Sequence, residues 1–465
     1  MKNTYYLIIL IVVSSISHFI FYGQPAQTVF DETYFVRYAS DYLTGSYYFD
    51  LHPPLGKMLI SATAQVAGGS VDNTDYSSIG NNFANSNYLW YRLLPTLAGT
   101  FLPAIIFLLA LELGMSALAA FLAGLLVIFE NSLLVQSRMT SLDSLLLLCG
   151  FISILAYFRY RKKRNSSQKS SGYYLILSAI AATMAFSLKW TGLAFLGMIL
   201  LLELFDLVRE KLTYVRIKKF SGVIAVFLSI GFALYFSVFA IHFALLTKSG
   251  QGDAFMSPSF QKTLTGNNYE NDQTLTAPNL WSKFTELNKE MYVLNETMTA
   301  THQYSSQWYT WPIMERSIFY WQELSSGKYI YYLGNPFIYW LGAVSISILA
   351  LYLLALFLKK KTLLYNSHKW NIAAFIIVGY AANFLPFAFI ERPMFLYHYE
   401  VALVLSIIAI AWLVDGIRSE KWKVGAVIAI LVLGISSFIY FSPLTYGLHL
   451  DQSQLQARMW LSSWR

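Results

Sequence analysis

The sequence DETYFVRYASDYLTGSYYFDLHPPLGK, residues 31–57, follows the first apolar segment of the chain. It begins with two adjacent carboxylates, Asp31 and Glu32, and it ends in HPPLGK, residues 52–57, where prolines fit a helix start because a missing N–H costs least there. Acidic and basic groups beside an apolar segment indicate chemistry on an anionic, lipid-linked substrate. The alternative is a polar loop between two membrane helices, because exposed carboxylates are usually only solvated.

The composition predicts an all-α polytopic membrane protein. Of the 465 residues, 56% are hydrophobic and 12% are charged, whereas soluble proteins have about 25% charged residues. The net charge of +8 does not indicate nucleic-acid binding, because in a membrane protein the placement of Lys and Arg matters more than their sum. The single cysteine, Cys149, excludes a disulfide framework and a cysteine-based metal site.

About eleven apolar segments predict membrane-spanning helices. The first is longer than the apolar region of a signal peptide, about 7–15 residues, so we expect it to be retained. Lys189 interrupts the hairpin formed by the fifth and sixth segments. The segments are 5–22, 88–111, 114–130, 140–158, 172–187, 190–207, 220–246, 334–358, 371–390, 398–415 and 423–441.

Basic clusters orient these segments. The clusters at 159–164, 209–219, 359–361 and 418–423 all fall on the side of the N-terminus, which the positive-inside rule makes cytoplasmic. Two large loops and the tail, 442–465, then lie outside. The first loop, 23–87, contains a predicted interfacial helix at 31–48 and a flexible Gly- and Asn-rich end at 68–87. The second, 247–333, is rich in Trp, Tyr, Ser and Thr.

Ionisable residues gather at the outer ends of the predicted helices. Such groups are costly in a membrane and usually have a partner or a function. The alternative for Arg138 and Asp143 is a simple ion pair with each other. The alternative for Glu391 is an interfacial side chain, and the alternative for His398 is a hydrogen-bonded structural residue. Together the group fits a bound phosphate beside a general base. Its members are Arg92, Glu130, Arg138, Asp143, Lys189, Glu391, Arg392 and His398.

Ordered motifs along nearly the whole chain give it a family resemblance. The chain resembles the protein O-mannosyltransferases, membrane glycosyltransferases of the GT-C type. The motifs are Asp31-Glu32, FDLHPPLGK (49–57), Glu130-Asn131, QSR (136–138), LDS (142–144), SLKW (187–190), HFALLTKSGQGDAFMSPSFQ (242–261), HQYSSQWYTWP (302–312), GNP (334–336), FLYHY (395–399) and SPLTYG (442–447).

The resemblance implies a GT-C fold and inverting transfer of mannose from polyprenyl- or dolichyl-phosphate mannose to Ser and Thr hydroxyls of proteins. Asp31 matches the family's proposed base, Glu32 would orient it, and Arg92 matches an arginine important for activity. Glu130 is a possible second acidic group that would help to bind an ion, although no metal or other cofactor is required. The candidates for binding donor phosphate or sugar are His52, Lys57, Arg92, Arg138, Lys189, Arg392 and His398.

One departure from the family concerns the second outer loop. Eukaryotic members carry a β-trefoil MIR domain there, and residues 261–291 are too few for one. We therefore expect one GT-C domain over 1–465, with a four-helix region and outer tail at 334–465. The expected partners are the membrane, the lipid donor and an exported protein acceptor. The chain itself would form a homodimer or a heterodimer. The location would be the plasma membrane in a prokaryote and the ER membrane in a eukaryote.

Two other functions stay open at this point. A related transferase would use another sugar or modify a lipid or a glycan. A multi-pass transporter or flippase is disfavoured, because transporters usually show mid-membrane charges and paired repeats.

Overall fold

The computed structural model describes residues 2–69, 73–166, 170–209, 213–299, 301–358 and 368–465. One predicted basic cluster, 359–361, lies outside these residues, and so does part of another, 210–212. Two strands, β1 (Ile318–Glu323) and β2 (Lys328–Tyr332), and seventeen α-helices are found in the described residues. The helices are α1 (Lys2–Phe19), α2 (Glu32–Thr44), α3 (Leu55–Val66), α4 (Asn87–Glu112), α5 (Ala117–Ile128), α6 (Asn131–Arg138), α7 (Asp143–Asn165), α8 (Ser171–Leu188), α9 (Leu193–Arg209), α10 (Tyr214–Leu245), α11 (Pro258–Gln261), α12 (Leu280–Thr297), α13 (Pro336–Leu358), α14 (His368–Ala382), α15 (Glu400–Asp415), α16 (Glu420–Tyr446) and α17 (Gln452–Arg458).

Each of the eleven predicted segments corresponds to a helix or a helix pair. Among the described residues, nine helices are long and apolar enough to span a membrane. A tenth would be the pair α5 and α6, which is bent by 57°, and α1 is a shorter apolar helix. The chain is therefore a multi-pass membrane protein.

The centre of the helical core is α15. Its residues from Glu400 to Ala411 are all buried, and it packs against α5, α13 and α14. A helix that is apolar around its whole circumference belongs inside a bundle rather than at its lipid surface. By contrast, only 22% of the residues in the most apolar stretch of each of α10, α13 and α16 are buried, as expected of helices that face lipid.

Residues 23–87, predicted as the first outer loop, contain two helices, α2 and α3, that pack against each other and against α4. The helix predicted at 31–48 is present as α2, and it ends at Gly45 in the left-handed conformation that glycine adopts readily. The prolines precede α3 as predicted, with Pro54 at its N-cap. Because α3 packs against α2, α4 and α8, the HPPLGK turn is fixed close to Leu188 at the end of α8.

The second outer loop supports the first and adds a β-hairpin. Gly250 and Gly252 lie against the backbone of residues 47–49, so closely that a Cβ atom at Gly250 would be 2.2 Å from the carbonyl oxygen of Tyr47. Strands β1 and β2 pair antiparallel, and a bulge interrupts their register between Phe319 and Trp321. The specific sequence of residues 242–261 thus supports the segment that precedes the HPPLGK turn.

Candidate active site

Glu32, in the first turn of α2, is bonded through both carboxylate oxygens. Its Oε1 accepts hydrogen bonds from Nε of Arg92 and from the backbone N–H of Thr140, both at 2.8 Å. Its Oε2 accepts from Nη2 of Arg92 at 2.6 Å and from the backbone N–H of Val29 at 3.1 Å. Glu32 is 1% exposed and Arg92 is 0% exposed. This buried ion pair fixes the start of α2 against α4.

The remaining contacts of Arg92 also lie within the protein. Nη1 donates to the carbonyl oxygen of Pro25 at 2.7 Å, and Nη2 donates to that of Gln27 at 3.0 Å. The rings of Phe83 and Tyr88 lie 5.4 Å and 5.2 Å from its Cζ atom. Its guanidinium group is therefore enclosed, and these contacts are those of a residue that positions Glu32 rather than of one that faces a ligand.

Asp31, immediately before Glu32, has no such partners. Its side chain does not cap α2, and it makes no hydrogen bond or ion pair with any residue that the structure describes. Burial raises the pKa of its carboxyl group from 3.8 to about 7; the charge of Lys189 opposes this rise, and Asp143 and Asp50 reinforce it. A carboxylate with a pKa near neutrality and no internal partner is suited to act as a general base.

A chain of hydrogen bonds lies beside Asp31. Nζ of Lys189, the residue at the end of α8, lies 2.7 Å and 2.9 Å from the two carboxylate oxygens of Asp143. Nε2 of Gln136 donates to Asp143 at 2.6 Å, and the hydroxyl group of Tyr320 donates to Oε1 of Gln136 at 2.5 Å. All four side chains are buried. We call Asp31, Gln136, Asp143, Lys189 and Tyr320 the Asp31 cluster.

His52 and Lys57 flank the turn before α3. Lys57 is 0% exposed, and its Nζ donates to Asp50 at 2.6 Å and to the carbonyl oxygens of His52 and Pro53, both at 2.8 Å. Its three protons are thus used to fix the turn. Burial lowers the pKa of His52 well below its usual 6.5, and nearby cations, Lys189 foremost, lower it further. His52 is therefore a neutral imidazole at the edge of the Asp31 cluster.

Arg392 is a further cation at this end of the bundle, as its electrostatic effect on His52 shows. It is partly exposed and makes no hydrogen bond or ion pair with the described residues. Its charge acts on His52, and Tyr397 lies within electrostatic range of both Arg392 and Asp31. The ring of Tyr397 also lies 5.2 Å from Nζ of Lys189. The structure thus brings Asp31, His52, Lys189 and Arg392 together.

Two other candidates, Glu130 and Arg138, are bonded within the helical core. Glu130 caps α6 by accepting from a backbone N–H at 2.7 Å, and its other oxygen accepts from the N–H of Asn335, also at 2.7 Å. Arg138 donates to the carbonyl oxygen of Phe21 at 2.7 Å, and its Cζ lies 4.6 Å from the centre of the Tyr446 ring. Both residues connect helices to one another, and neither has a contact with Asp31.

The predicted alternatives for Arg138, Asp143 and His398 have different outcomes. The alternative that Arg138 pairs with Asp143 is wrong, because Lys189 and Gln136 occupy the carboxylate while Arg138 points toward Phe21. The structural alternative for His398 agrees with its contacts: Nδ1 accepts from the N–H of Phe395 at 3.1 Å, and its ring stacks on that of Trp311 at 5.9 Å.

Gln136 and Tyr320 are members of the Asp31 cluster that the sequence did not single out as site residues. Gln136 lies within the QSR motif, which drew attention to it only as part of a family pattern. No local signal identified Tyr320, because its role depends on where the β-hairpin packs. In the described part of the chain, no group of three or more His, Cys, Asp or Glu side chains is arranged to hold a metal ion.

Two family models match this chain. The model described as dolichyl-phosphate-mannose-protein mannosyltransferase matches residues 8–247. The model described as the C-terminal four TMM region of protein-O-mannosyltransferase matches residues 280–464. Together they cover both outer loops in large part and nearly all of the helices described above.

Curated relatives agree with these models. Dolichyl-phosphate-mannose–protein mannosyltransferase 4 of Candida albicans is 34% identical over 251 residues, which are 52% of this chain and 33% of the relative. Dolichyl-phosphate-mannose–protein mannosyltransferase 1 of Saccharomyces cerevisiae is 23% identical over 663 aligned residues, covering 95% of this chain and 80% of the relative. The first match thus spans about a third of the relative's length. The second includes segments that this chain lacks.

Solved structures show the same fold. A chain of the S. cerevisiae protein O-mannosyltransferase Pmt1-Pmt2 complex, solved with its sugar donor, superimposes with a TM-score of 0.92 at 20% identity, covering 100% of this chain and 93% of that one. The Archaeoglobus fulgidus oligosaccharyltransferase AglB superimposes with a TM-score of 0.55 at 12% identity, covering 99% of this chain and 58% of AglB. The predicted GT-C fold is confirmed.

Proposed function

We propose, because this chain belongs to the dolichyl-phosphate-mannose-protein mannosyltransferase family, that it transfers mannose from a polyprenyl- or dolichyl-phosphate-mannose lipid to Ser or Thr hydroxyl groups of proteins. The observation that carries this proposal is the environment of the Asp31 carboxylate. Its carboxylate has no hydrogen-bond or ion-pair partner among the residues that the structure describes, its pKa is raised to about 7, and it lies beside fixed cations at the end of a membrane bundle.

The reaction is a direct displacement that inverts the anomeric carbon. A hydroxyl group is a poor nucleophile until a base takes its proton, and general-base catalysis typically contributes about 10²–10⁴-fold. Asp31 accepts the proton of the acceptor hydroxyl group while the oxygen of that hydroxyl group forms a bond to C1 of mannose. The bond from C1 to the phosphate oxygen breaks, and the lipid phosphate leaves with the electron pair.

Arg392 is the first candidate to bind the phosphate of the donor. Negative charge grows on the leaving phosphate, so fixed cations stabilise the transition state more than the ground state. Arg392 supports this role because no described protein group occupies its guanidinium. Lys189 adds a second positive charge, and neutral His52 offers a hydrogen bond to the phosphate or the sugar.

The other candidates hold parts of the protein in place and do not contact the substrate. We assign Glu32 and Arg92 to hold Asp31 at the start of α2, because each satisfies the charge of the other. Lys57 holds the turn that carries His52. Glu130, Arg138 and His398 are assigned to the packing of the bundle, since their polar contacts are with core helices and loops.

The side of the membrane and the assembly are also part of the proposal. The one-sided basic clusters support an active site on the extracytoplasmic face, in the plasma membrane of a prokaryote or the ER membrane of a eukaryote. The similar yeast structure is a complex of two different subunits, Pmt1 and Pmt2. We propose that this chain likewise works as a dimer, with itself or with a related subunit.

Mannose transfer from the lipid to a peptide tests the function. Purified protein in lipid nanodiscs is given polyprenyl-phosphate [¹⁴C]mannose and a Ser/Thr-rich peptide, and labelled peptide is measured. We expect transfer by the wild type, and a loss of about 10²–10⁴-fold in Asp31→Asn, with lipid binding and folding retained. Glu32→Gln keeps a side chain of the same size, and we expect it to lose less than Asp31→Asn.

The same assay separates the alternatives. Transfer from another sugar lipid, or to a lipid acceptor but never to peptide, would favour the related transferase. Movement of lipid across the bilayer without transfer would favour a flippase. We also propose that no metal cofactor is needed, since the phosphate lipid is already an activated donor; full activity after chelation with EDTA is the expected result.

A further inference from the structure

We propose that Tyr320 is a positioning residue for Asp31, which rests on the function proposed above. Tyr320 belongs to the β-hairpin of the second outer loop, whereas Asp31 belongs to the first. The inference depends on three observations: the β-bulge that sets the direction of Tyr320, its stack with Phe30, and its hydrogen bond to Gln136.

The β-bulge directs Tyr320 into the site. Phe319 pairs with Tyr331 and Trp321 pairs with Ile330, so Tyr320 is an extra residue in β1 without an opposite partner. A bulge of this kind changes the direction of a side chain, and bulges are frequent beside active sites. Tyr320 is only 2% exposed, although its strand lies in an outer loop.

The ring of Tyr320 supports the residue before Asp31. Phe30 has a φ of +41°, in the left-handed region that non-glycine residues rarely adopt. Its ring stacks on that of Tyr320, with centroids 4.5 Å apart and planes 7° from parallel. Its backbone N–H also donates to the carbonyl oxygen of Tyr320 at 3.2 Å. A strained conformation persists only where its surroundings over-determine it, and Tyr320 supplies two of those contacts.

The hydroxyl group of Tyr320 supports the charged side of the cluster. It donates to Gln136, which donates to Asp143, which is paired with Lys189. Lys189 is the cation that acts most strongly on Asp31. Tyr320 therefore contacts both Phe30, the residue before Asp31, and the hydrogen-bond chain that holds the neighbouring Lys189.

Kinetics of three variants test this role. Tyr320→Leu removes both the stack and the hydroxyl group, and Phe30→Leu breaks the same stack from its other side. Phe319→Leu is the matched control, because Phe319 precedes Tyr320 in β1 but contacts Tyr304 and Tyr331 rather than Phe30. We measure kcat, KM for the lipid donor and melting temperature for each, using mannose transfer to peptide.

A misplaced catalytic group can cost about 10²-fold in rate. We expect kcat to fall by about 10–100-fold in Tyr320→Leu and Phe30→Leu, with KM for the lipid within about threefold of the wild type. Tyr320→Phe retains the stack but loses the hydrogen bond to Gln136, so it should recover part of the rate. The double variant Tyr320→Leu/Phe30→Leu should lose less than the product of the two single losses, because both changes remove the same stack.

Wild-type kcat in Tyr320→Leu, or a loss no larger than in Phe319→Leu, would overturn the inference. If Tyr320→Leu does not fold, Phe30→Leu decides the question, and unchanged kcat there has the same consequence. Failure of the wild type itself to transfer mannose would instead overturn the proposed function, and with it any role of Tyr320 in that reaction.

Discussion

Nε and Nη2 of Arg92 donate to the two carboxylate oxygens of Glu32, at 2.8 Å and 2.6 Å, in a site where neither side chain is more than 1% exposed. The same carboxylate accepts the backbone N–H of Thr140. This pair therefore connects α2, α4 and the segment between α6 and α7. This pair explains how the two adjacent acidic residues differ: Glu32 accepts hydrogen bonds on both oxygens, and the side chain of Asp31 has no partner in the described part of the chain.

Arg92→Ala should destabilise the protein. Breaking a buried ion pair from one side costs about 3–5 kcal/mol, because the other charge stays buried without compensation. Arg92→Lys should recover only part of this loss, since an ammonium group lacks the planar fork that bonds both oxygens. Thermal unfolding in nanodiscs, monitored by limited proteolysis, measures the loss of stability.

A double variant serves as the control for this prediction. Arg92→Met with Glu32→Gln removes both charges, and it should be more stable than Arg92→Ala alone. Unchanged melting of Arg92→Ala together with weaker lipid binding would mean that Arg92 contacts the phosphate directly.

Arg392→Ala should weaken use of the lipid donor without destabilising the fold. A hydrogen bond to a charged group contributes about 1.5–3 kcal/mol, which corresponds to roughly 10- to 150-fold in affinity. No described protein group depends on this guanidinium, so the melting temperature should stay near that of the wild type. Arg316→Ala, at an exposed arginine in the second outer loop, is the matched control; equal donor KM in both variants would contradict the assignment.

Sequence periodicity and charge were enough to predict the membrane helices, because the apolar length and the basic clusters are local signals. They were also enough to place Asp31, His52, Lys189 and Arg392 at one end of the bundle. They could not tell which cations are already bonded. Arg92 is bonded to Glu32 and to backbone carbonyls about 60 residues before it, which depends on three-dimensional packing. Lys57 is bonded to Asp50 and to carbonyls of its own turn, and this depends on the conformation of that turn. Tyr320 was not singled out for the same reason.

Gly250→Ala should destabilise the outer loops. A Cβ atom there would lie 2.2 Å from the carbonyl oxygen and 2.8 Å from the nitrogen of Tyr47, and backbone atoms cannot turn away as a flexible side chain can. Overpacking of this kind typically costs about 1–3 kcal/mol. Gly222→Ala, in α10 with open space around it, is the control and should melt like the wild type. Equal proteolysis of the two variants would show that the glycine is not needed for packing.

Reporter fusions should show that the basic loops and the predicted outer loops lie on opposite sides of the membrane. A fusion after Arg164 follows a basic cluster and should be cytoplasmic, whereas a fusion after Gly250 enters the second outer loop and should be outside. Alkaline phosphatase, which is active only outside, and a fluorescent protein that matures inside give opposite signals for the two sites. The same signal from both positions would contradict the proposed orientation of the active site.

The pH dependence of transfer should follow the ionisation of Asp31. Burial raises the pKa of this carboxyl group from 3.8 to about 7, and the base must be ionised before it can accept a proton. We therefore expect kcat/KM to rise about tenfold per pH unit below neutrality and to level off above about pH 8. Rates measured from about pH 5.5 to 8.5 test this, with Asp75→Asn, in the exposed part of the same outer loop, as a control that keeps the wild-type profile.

Stability gives an independent check on the same carboxyl group. At pH values between the ordinary and the raised pKa of Asp31, the folded chain keeps a proton that the unfolded chain has released. The folded state therefore loses stability as pH rises from about 4 to 7, and the loss is complete above neutrality. Asp31→Asn removes this cost. At about pH 8 it should melt at the same temperature as the wild type or higher, while it loses nearly all transfer. A flat activity profile in the wild type, or a clear fall in the melting temperature of Asp31→Asn, would move the role of base to another residue.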